Sequence, residues 1–298
     1  MEKNKKENKV KRKRGDRYDG TLIRGMDGLH AVMPHLMDNR TDAEVYINES
    51  IDVTELLAYL KKKNEENPEQ KTTLFHAMAT AVAKTVTMRP YLNRFIAGRR
   101  FYERNELILA FVAKRQFADH AEESLMLLRA KPEHTLDDFS RIIRGDVRKI
   151  RTEGNNDMDD VLDLFAKFPR WLLKLVVGIL RILDYHGKVP HAIADNDSNY
   201  STVFLSNLGS IKCNAVYHHL NNYGTNSIMG TIGVAHKEQV VDDEGNISIR
   251  DVVELGLTLD ERIADGFYFA RSVKLLKHII ARPELLELPL RESFDYEY

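Results

Sequence analysis

The stretch "LTLDERIADGFYFARSVKLLKHII", Leu257 to Ile280, decides the fold. It begins with the alternation of a strand, breaks at Asp265-Gly266 and resumes with the spacing of an amphipathic helix. At the break, Asp260, Glu261, Arg262, Asp265 and Gly266 fall within seven positions, so a strand end, a tight corner and a helix start share one charged site. Upstream, "ISIRDVVELGLTLD" (Ile247 to Asp260), "SIMGTIGVAHKEQVV" (Ser227 to Val241) and "YSTVFLSNLGSI" (Tyr200 to Ile211) read as strands joined by polar or glycine-containing links.

The first half alternates differently. "EVYINESIDVT", Glu44 to Thr54, sets Val45, Ile47, Ile51 and Val53 against polar neighbours as a strand does, and a helix, "ELLAYLKKKNEEN", runs from there to a stop at Pro68. A second helix over Thr73 to Pro90 is small and apolar enough to be buried. "RRFYERNELILAFVAKRQF", Arg99 to Phe117, gives two strand-like pieces around "ERNE" and predicts a hairpin there. Thr135 with Asp138 makes a capping box for a third helix, "LDDFSRIIRGDVRKI". Strands and helices without regular βαβ repetition predict an α+β domain around a large, mixed, mostly antiparallel sheet flanked by helices.

Composition bounds the function. Charge is nearly balanced, 44 basic against 45 acidic residues, so the whole chain carries no electrostatic signature of a nucleic-acid or membrane partner. Residues 1–14, "MEKNKKENKVKRKR", hold eight Lys or Arg against two Glu, a net of +6, leaving −7 on the rest of a chain whose total is −1. With almost no apolar residues this head is read, through residue 18, as a disordered basic tail ahead of one domain over 19–298. No base-reading motif follows it, so nucleic-acid or membrane contact by the tail is not expected. The single cysteine, Cys213, forms no intramolecular disulfide and reads as a small filler; with no secretion-type apolar segment after the basic start, the chain is expected in the cytoplasm.

The longest apolar run, "FPRWLLKLVVGILRILDYHG" (Phe168 to Gly187), has only 14 residues between Pro169 and Asp184, short of the roughly 20 that span a bilayer. Lys174 and Arg181, seven apart, share one helical face, which predicts an amphipathic helix covering a core, a partner subunit or an acyl-binding tunnel, with a place on a membrane surface as the lesser alternative.

Four separated segments then agree with one family. "SNLGS" (Ser206 to Ser210), "DERIADG" (Asp260 to Gly266) with its following helix ending in "RPELL", "RPYLNRF" (Arg89 to Phe95) and "IDVTELL" resemble, in order and spacing, the catalytic domain of 2-oxo acid dehydrogenase acyltransferases. That family carries S-N-L-G on one strand and D-H-R-x-x-D-G at a later corner; the related chloramphenicol acetyltransferases carry H-H-x-x-x-D-G there. The resemblance covers about Asp19 to Leu286. It implies a homotrimer with active sites at subunit interfaces, moving an acyl group between coenzyme A and a thiol, hydroxyl or amine acceptor. It implies no metal, and the absence of a lipoyl-bearing segment before residue 19 leads us to expect a stand-alone domain without a covalent lipoyl group.

Carried over by position, Asp265 matches the motif aspartate that orders the site through a salt bridge. Ser206 is the hydroxyl expected to hold the tetrahedral oxyanion, with Thr202 or Ser201 behind it. The general-base histidine position is Glu261. A thiol near pKa 8.5 yields its proton to a carboxylate near 4.3 uphill by about 4 units, roughly 6 kcal/mol, against roughly 3 for an imidazole near 6.5. An unperturbed Glu261 therefore starts about 3 kcal/mol behind, on the order of a hundredfold in rate. Burial narrows that gap and nearby cations widen it. "NAVYHHLNNYG", Asn214 to Gly224, offers His218 and His219 as an auxiliary base; the plainer reading is that adjacent histidines on a loop diverge and do no chemistry. Neither has a Cys or carboxylate at metal-ligand spacing. Two functions stay open: a coenzyme A-dependent acyltransferase using Glu261 or a borrowed histidine, and a non-catalytic trimeric scaffold that lost the motif histidine.

Overall fold

The computed structural model describes residues 12–114, 123–153, 167–241 and 244–296. Its centre is a mixed seven-stranded sheet in the order β2 (Glu44–Asp52), β10 (Ile247–Asp260), β8 (Ile228–Ile232), β7 (Val203–Asn207), β5 (Leu107–Lys114) and β6 (Glu123–Ala130), with β9 (His236–Val241) paired to the first half of β10. The β5–β7 and β7–β8 pairings are parallel and the other four antiparallel. This is the mixed, mostly antiparallel sheet that the strand pattern predicts.

Helices α2 (Thr54–Glu66), α3 (Leu74–Met88), α4 (Leu136–Glu153) and α7 (Gly266–Ala281) share one apolar core with the sheet. α3 is the most deeply set, buried from His76 to Val86. Its Lys84 is fully buried and donates to three main-chain carbonyls of the C-terminal segment, Pro289 at 3.0 Å, Glu292 at 3.2 Å and Leu288 at 3.4 Å. Burial pushes the Lys84 pKa down. At the start of α4, Asp138 accepts from the Thr135 N–H at 3.1 Å and from its hydroxyl at 3.3 Å, the cap that the sequence predicts.

The hairpin predicted around "ERNE" lies elsewhere. β4 (Arg100–Arg104) and β5 belong to different sheets; β4 pairs instead with β1 (Gly20–Leu22) and β3 (Arg94–Ala97) in a three-stranded sheet. Gly98 and Arg99 close the β3–β4 hairpin with φ of +54° and +60°, the two-residue turn whose twist suits paired strands. Glycine adopts that conformation freely, whereas Arg99 is a rare occupant, so the sequence carries no Asn-Gly or Asp-Gly signal for the turn. The side chain of Arg104 then drives the chain inward, donating to Tyr200 O at 2.7 Å and Thr225 O at 2.9 Å.

Residues 1–11 of the basic head, like 154–166 of the polar stretch before the apolar run, lie outside the described residues. Arg17 is buried, with its guanidinium on Asp19 at 2.8 Å, so the folded body begins before Asp19. The apolar run forms α5 (Arg170–Tyr185), followed by the single-turn α6 (His191–Ala194). None of the α5 side chains is fully buried, so the helix does not cover the core. The remaining helix, α1 (Gly28–Leu36), precedes β2.

Candidate functional site

The residues singled out by sequence divide between a cavity and a charged corner. Ser206 lies near the end of β7, half-buried, opposite Thr231 of the parallel neighbour β8. After β7 the chain makes a short 3-10 turn, Leu208–Ile211, and an extended loop returns it to β8. That loop presses on the sheet because Gly256 of β10 has no side chain. A Cβ there would stand 2.5 Å from Val216 O and 2.8 Å from Thr231 Oγ1. The Thr231 hydroxyl accepts from the Val216 N–H at 3.1 Å and donates to the Val216 carbonyl, fixing the loop two residues before His218.

So held, His218 and His219 line the same cavity as Ser206, a space of about 610 Å³. The other walls are apolar, among them Phe75, Phe111, Phe204, Ile143 and Val147, with Asn199, Asn226 and His76 as polar members. Among the described residues no carboxylate lines it, and Arg151 is the one formal cation. His218 Nδ1 lies 3.1 Å from the His219 carbonyl, and His219 Nδ1 lies 3.1 Å from the Leu220 carbonyl. A carbonyl only accepts, so in each neutral ring Nδ1 carries the proton and Nε2 presents its lone pair, the arrangement a general base requires. The adjacent histidines therefore share one cavity instead of diverging.

The Ser206 hydroxyl makes no hydrogen bond among the described residues, which leaves it available to a ligand. Its two understudies are committed elsewhere: Thr202 Oγ1 donates to Asn93 Oδ1 at 2.8 Å and accepts from the Ile108 N–H, and Ser201 Oγ accepts from Asn226 Nδ2 at 3.1 Å. Cys213 is exposed, not a buried filler.

His76, unremarked in the sequence, is buried on the cavity wall. Its Nδ1 accepts from the Thr73 N–H at 3.2 Å while the Thr73 hydroxyl accepts from His76 N–H at 3.3 Å, a reciprocal cap at the start of α3. Burial, with Arg144 adding repulsion, lowers its pKa to about 4. The T-x-x-H spacing before an apolar helix was the available signal. α5, expected to roof an acyl tunnel, contributes none of the lining residues.

The corner is built for rigidity. Asp260 closes β10 fully buried and binds Arg262 through both oxygens, each at 2.7 Å. Arg262 is buried too and donates to the Met37 carbonyl at 2.7 Å. Arg40 Nε stands 4.0 Å from the same carboxylate, while its other nitrogens donate to Ile96 O at 2.8 Å and Asn221 O at 3.1 Å. Burial pulls the Arg40 pKa down, opposed by Asp260. Arg262, adjacent in sequence to Glu261, thus turns inward and does not pair with it. Glu261 is half-buried, forms no ion pair among the described residues and does not line the Ser206 cavity. Asp265 is exposed and caps α7, accepting from the Tyr268 N–H at 2.7 Å; the salt bridge implied for it by resemblance does not form within the chain among the described residues. No group of three metal-ligating side chains occurs among the described residues.

Comparison with known proteins follows the same lines. The sequence model described as 2-oxoacid dehydrogenases acyltransferase (catalytic domain) matches residues 190–288, a span that holds Ser206, both histidines and the corner. The lipoamide acyltransferase component of the branched-chain alpha-keto acid dehydrogenase complex of Bacillus subtilis is 22% identical over 235 residues, covering 77% of this chain and 45% of its own length. The chain thus spans about half the length of that curated relative. The dihydrolipoamide acetyltransferase of Azotobacter vinelandii superposes with a TM-score of 0.61 at 16% identity, over 90% of this chain and 95% of its own. A chloramphenicol acetyltransferase superposes with a TM-score of 0.52 at 11% identity, over 88% and 99%. The chain has the fold that these acyltransferases share.

Proposed function

We propose that this protein is a coenzyme A-dependent acyltransferase whose reaction centre is the cavity of Ser206, with His218 or His219 as the base. The observation that carries the reading is the meeting, in one cavity, of an unengaged serine hydroxyl with two imidazoles whose Nδ1 atoms are tied to carbonyls. A histidine Nε2 takes the proton of the acceptor thiol, hydroxyl or amine, the acceptor attacks the thioester carbonyl of acyl-coenzyme A, and the Ser206 hydroxyl donates to the oxyanion that forms. Collapse releases the coenzyme A thiolate, which recovers the proton from the imidazolium. The apolar walls suit the acyl group, and the described lining, with Arg151 its formal charge, suits the phosphates of the donor.

Self-association as a homotrimer belongs to the same proposal, supported by the family resemblance. It gives Glu261 a second reading, favoured by its half-buried position at the motif corner without an ion pair: a neighbouring copy would bring it to the cavity edge. The test is release of free coenzyme A thiol from acetyl-coenzyme A with a panel of thiol, hydroxyl and amine acceptors. Turnover that falls in Ser206→Ala and His218→Asn/His219→Asn but persists in Glu261→Gln supports the cavity histidines. Turnover lost in Glu261→Gln alone makes the carboxylate the base. Silence in the wild type, with gain in Glu261→His, leaves a non-catalytic scaffold.

A further inference from the structure

The feature that the reaction centre leaves unused is α5. Its side chains Leu172, Leu173, Val176, Leu180 and Leu183 are half-buried, Leu183 against the cluster of Val189, Ala194 and Tyr200, yet the apolar face continues past them. Trp171, Leu175, Ile179 and Ile182, spaced at i, i+4, i+8 and i+11 and therefore on one side of the helix, are 69%, 52%, 48% and 62% exposed. Arg170, Lys174 and Arg181 fall together on the polar side of the same helix.

The helix is fastened at one end. In its last turn Asp184 receives Arg17, whose guanidinium donates to the Asp184 carbonyl at 2.7 Å and to Oδ1 at 3.3 Å, and Tyr200 adds its hydroxyl at 2.9 Å. Arg17 is also where the chain emerges from the basic head: Arg12, Lys13 and Arg14, all exposed, precede it by three to five residues, within roughly 20 Å of extended chain. An uncovered apolar stripe, a row of cations beside it and the root of a segment with net charge +6 thus converge on one corner of the molecule.

We infer that α5 lies in the surface of an anionic lipid bilayer, its stripe seated among the acyl chains and Arg170, Lys174, Arg181 and the exposed Arg12, Lys13 and Arg14 on the headgroups. A shallow amphipathic helix or a polybasic segment alone binds membranes weakly and reversibly; the two together make a stable peripheral contact. The sequence pattern favours a covered apolar run, and the fold leaves its outer stripe open. The helix does not span: it has 16 residues, and no described helix is long and apolar enough to cross. A two-fold contact would set the cationic rows against each other, and a trimer contact would set the stripe against a different surface of the neighbour; the row of cations beside the stripe favours an anionic lipid surface over either.

Trp171 is the only tryptophan of the chain and sits on the stripe, so its fluorescence reports the contact directly. The full chain is titrated with vesicles of phosphatidylcholine containing phosphatidylserine and with vesicles of phosphatidylcholine alone, reading the emission maximum and co-sedimentation. A blue shift and sedimentation with the anionic vesicles are expected, with partitioning weakened by about tenfold or more on removal of residues 1–11, or at high salt. The surface variant Leu175→Glu/Ile179→Glu, checked for folding by circular dichroism, is expected to lose both signals. No shift with either vesicle overturns the inference. A blue shift that instead grows with protein concentration in the absence of lipid assigns the stripe to a second copy and overturns it equally.

Discussion

The corner at Asp260–Gly266 and the cavity at Ser206–His219 use polar residues in opposite ways. At the corner every strongly polar group except Glu261 is engaged by the chain itself. Asp260 and Arg262 are locked in a buried two-point pair, and Asp265 is spent on a helix cap. In the cavity, a serine hydroxyl and two imidazole Nε2 atoms are left without intrachain work among the described residues, on a loop that Thr231 ties to the sheet. Residues that resemble a catalytic motif can be structural, and residues outside that motif can carry the unsatisfied chemistry.

The sharpest way to break this contrast is kinetic. Replacing His218 and His219 together by Asn is expected to lower acyl transfer by about 10²–10⁴, the range of a lost general base, and Glu261→Gln by less than about tenfold. Initial rates of thiol release decide it, and the reverse pattern would move the chemistry to the corner. Next in size is Arg262→Met, which strands the buried Asp260 carboxylate and is expected to destabilise the fold by about 3–5 kcal/mol in urea unfolding, whereas Glu261→Gln stays within about 0.5 kcal/mol.

The cavity wall makes a third prediction through pH. His76 is held neutral, its pKa about 4 in the fold against 6.5 for the free side chain. The unfolded chain binds the extra proton between those values, so this contribution is complete above pH 6.5 and fades as pH falls toward 4. It amounts to roughly 3 kcal/mol at about 1.4 kcal/mol per unit. Chemical denaturation across that window should show a shallower loss for His76→Gln than for the parent. The smallest effect is expected for Asp265→Ala, about 1 kcal/mol from the lost α7 cap and little change in turnover; a fall in turnover out of proportion to stability would give Asp265 a role at the site.

The fold was legible in the sequence wherever a period or a spacing carried it. The strands around "SNLGS" and "DERIADG", the buried character of α3 and the Thr135–Asp138 cap all follow from local pattern. What failed was direction. Arg262 is adjacent to Glu261 in sequence, yet the turn after β10 sends its guanidinium into the interior, toward Asp260. The β3–β4 hairpin turns on Arg99 in a conformation that arginine seldom takes, so the turn was placed one strand too late. His218 and His219 reach a common cavity only because Gly256, far downstream on β10, lets their loop lie on the sheet. The pattern of α5 showed that it is amphipathic and not what covers it.

The clasp between Lys84 and the carbonyls of Leu288, Pro289 and Glu292 also has a meaning in time. α3 lies at the middle of the helical layer, but the acceptors for its buried ammonium follow Lys84 by 204 to 208 residues. Until they arrive, the charge has nothing to bind where α3 must be buried, and an uncompensated buried cation costs several kcal/mol. Closure of the core therefore awaits synthesis of residues 288–292, and a nascent chain halted before Leu288 remains an open, protease-sensitive intermediate however much of its sheet has formed.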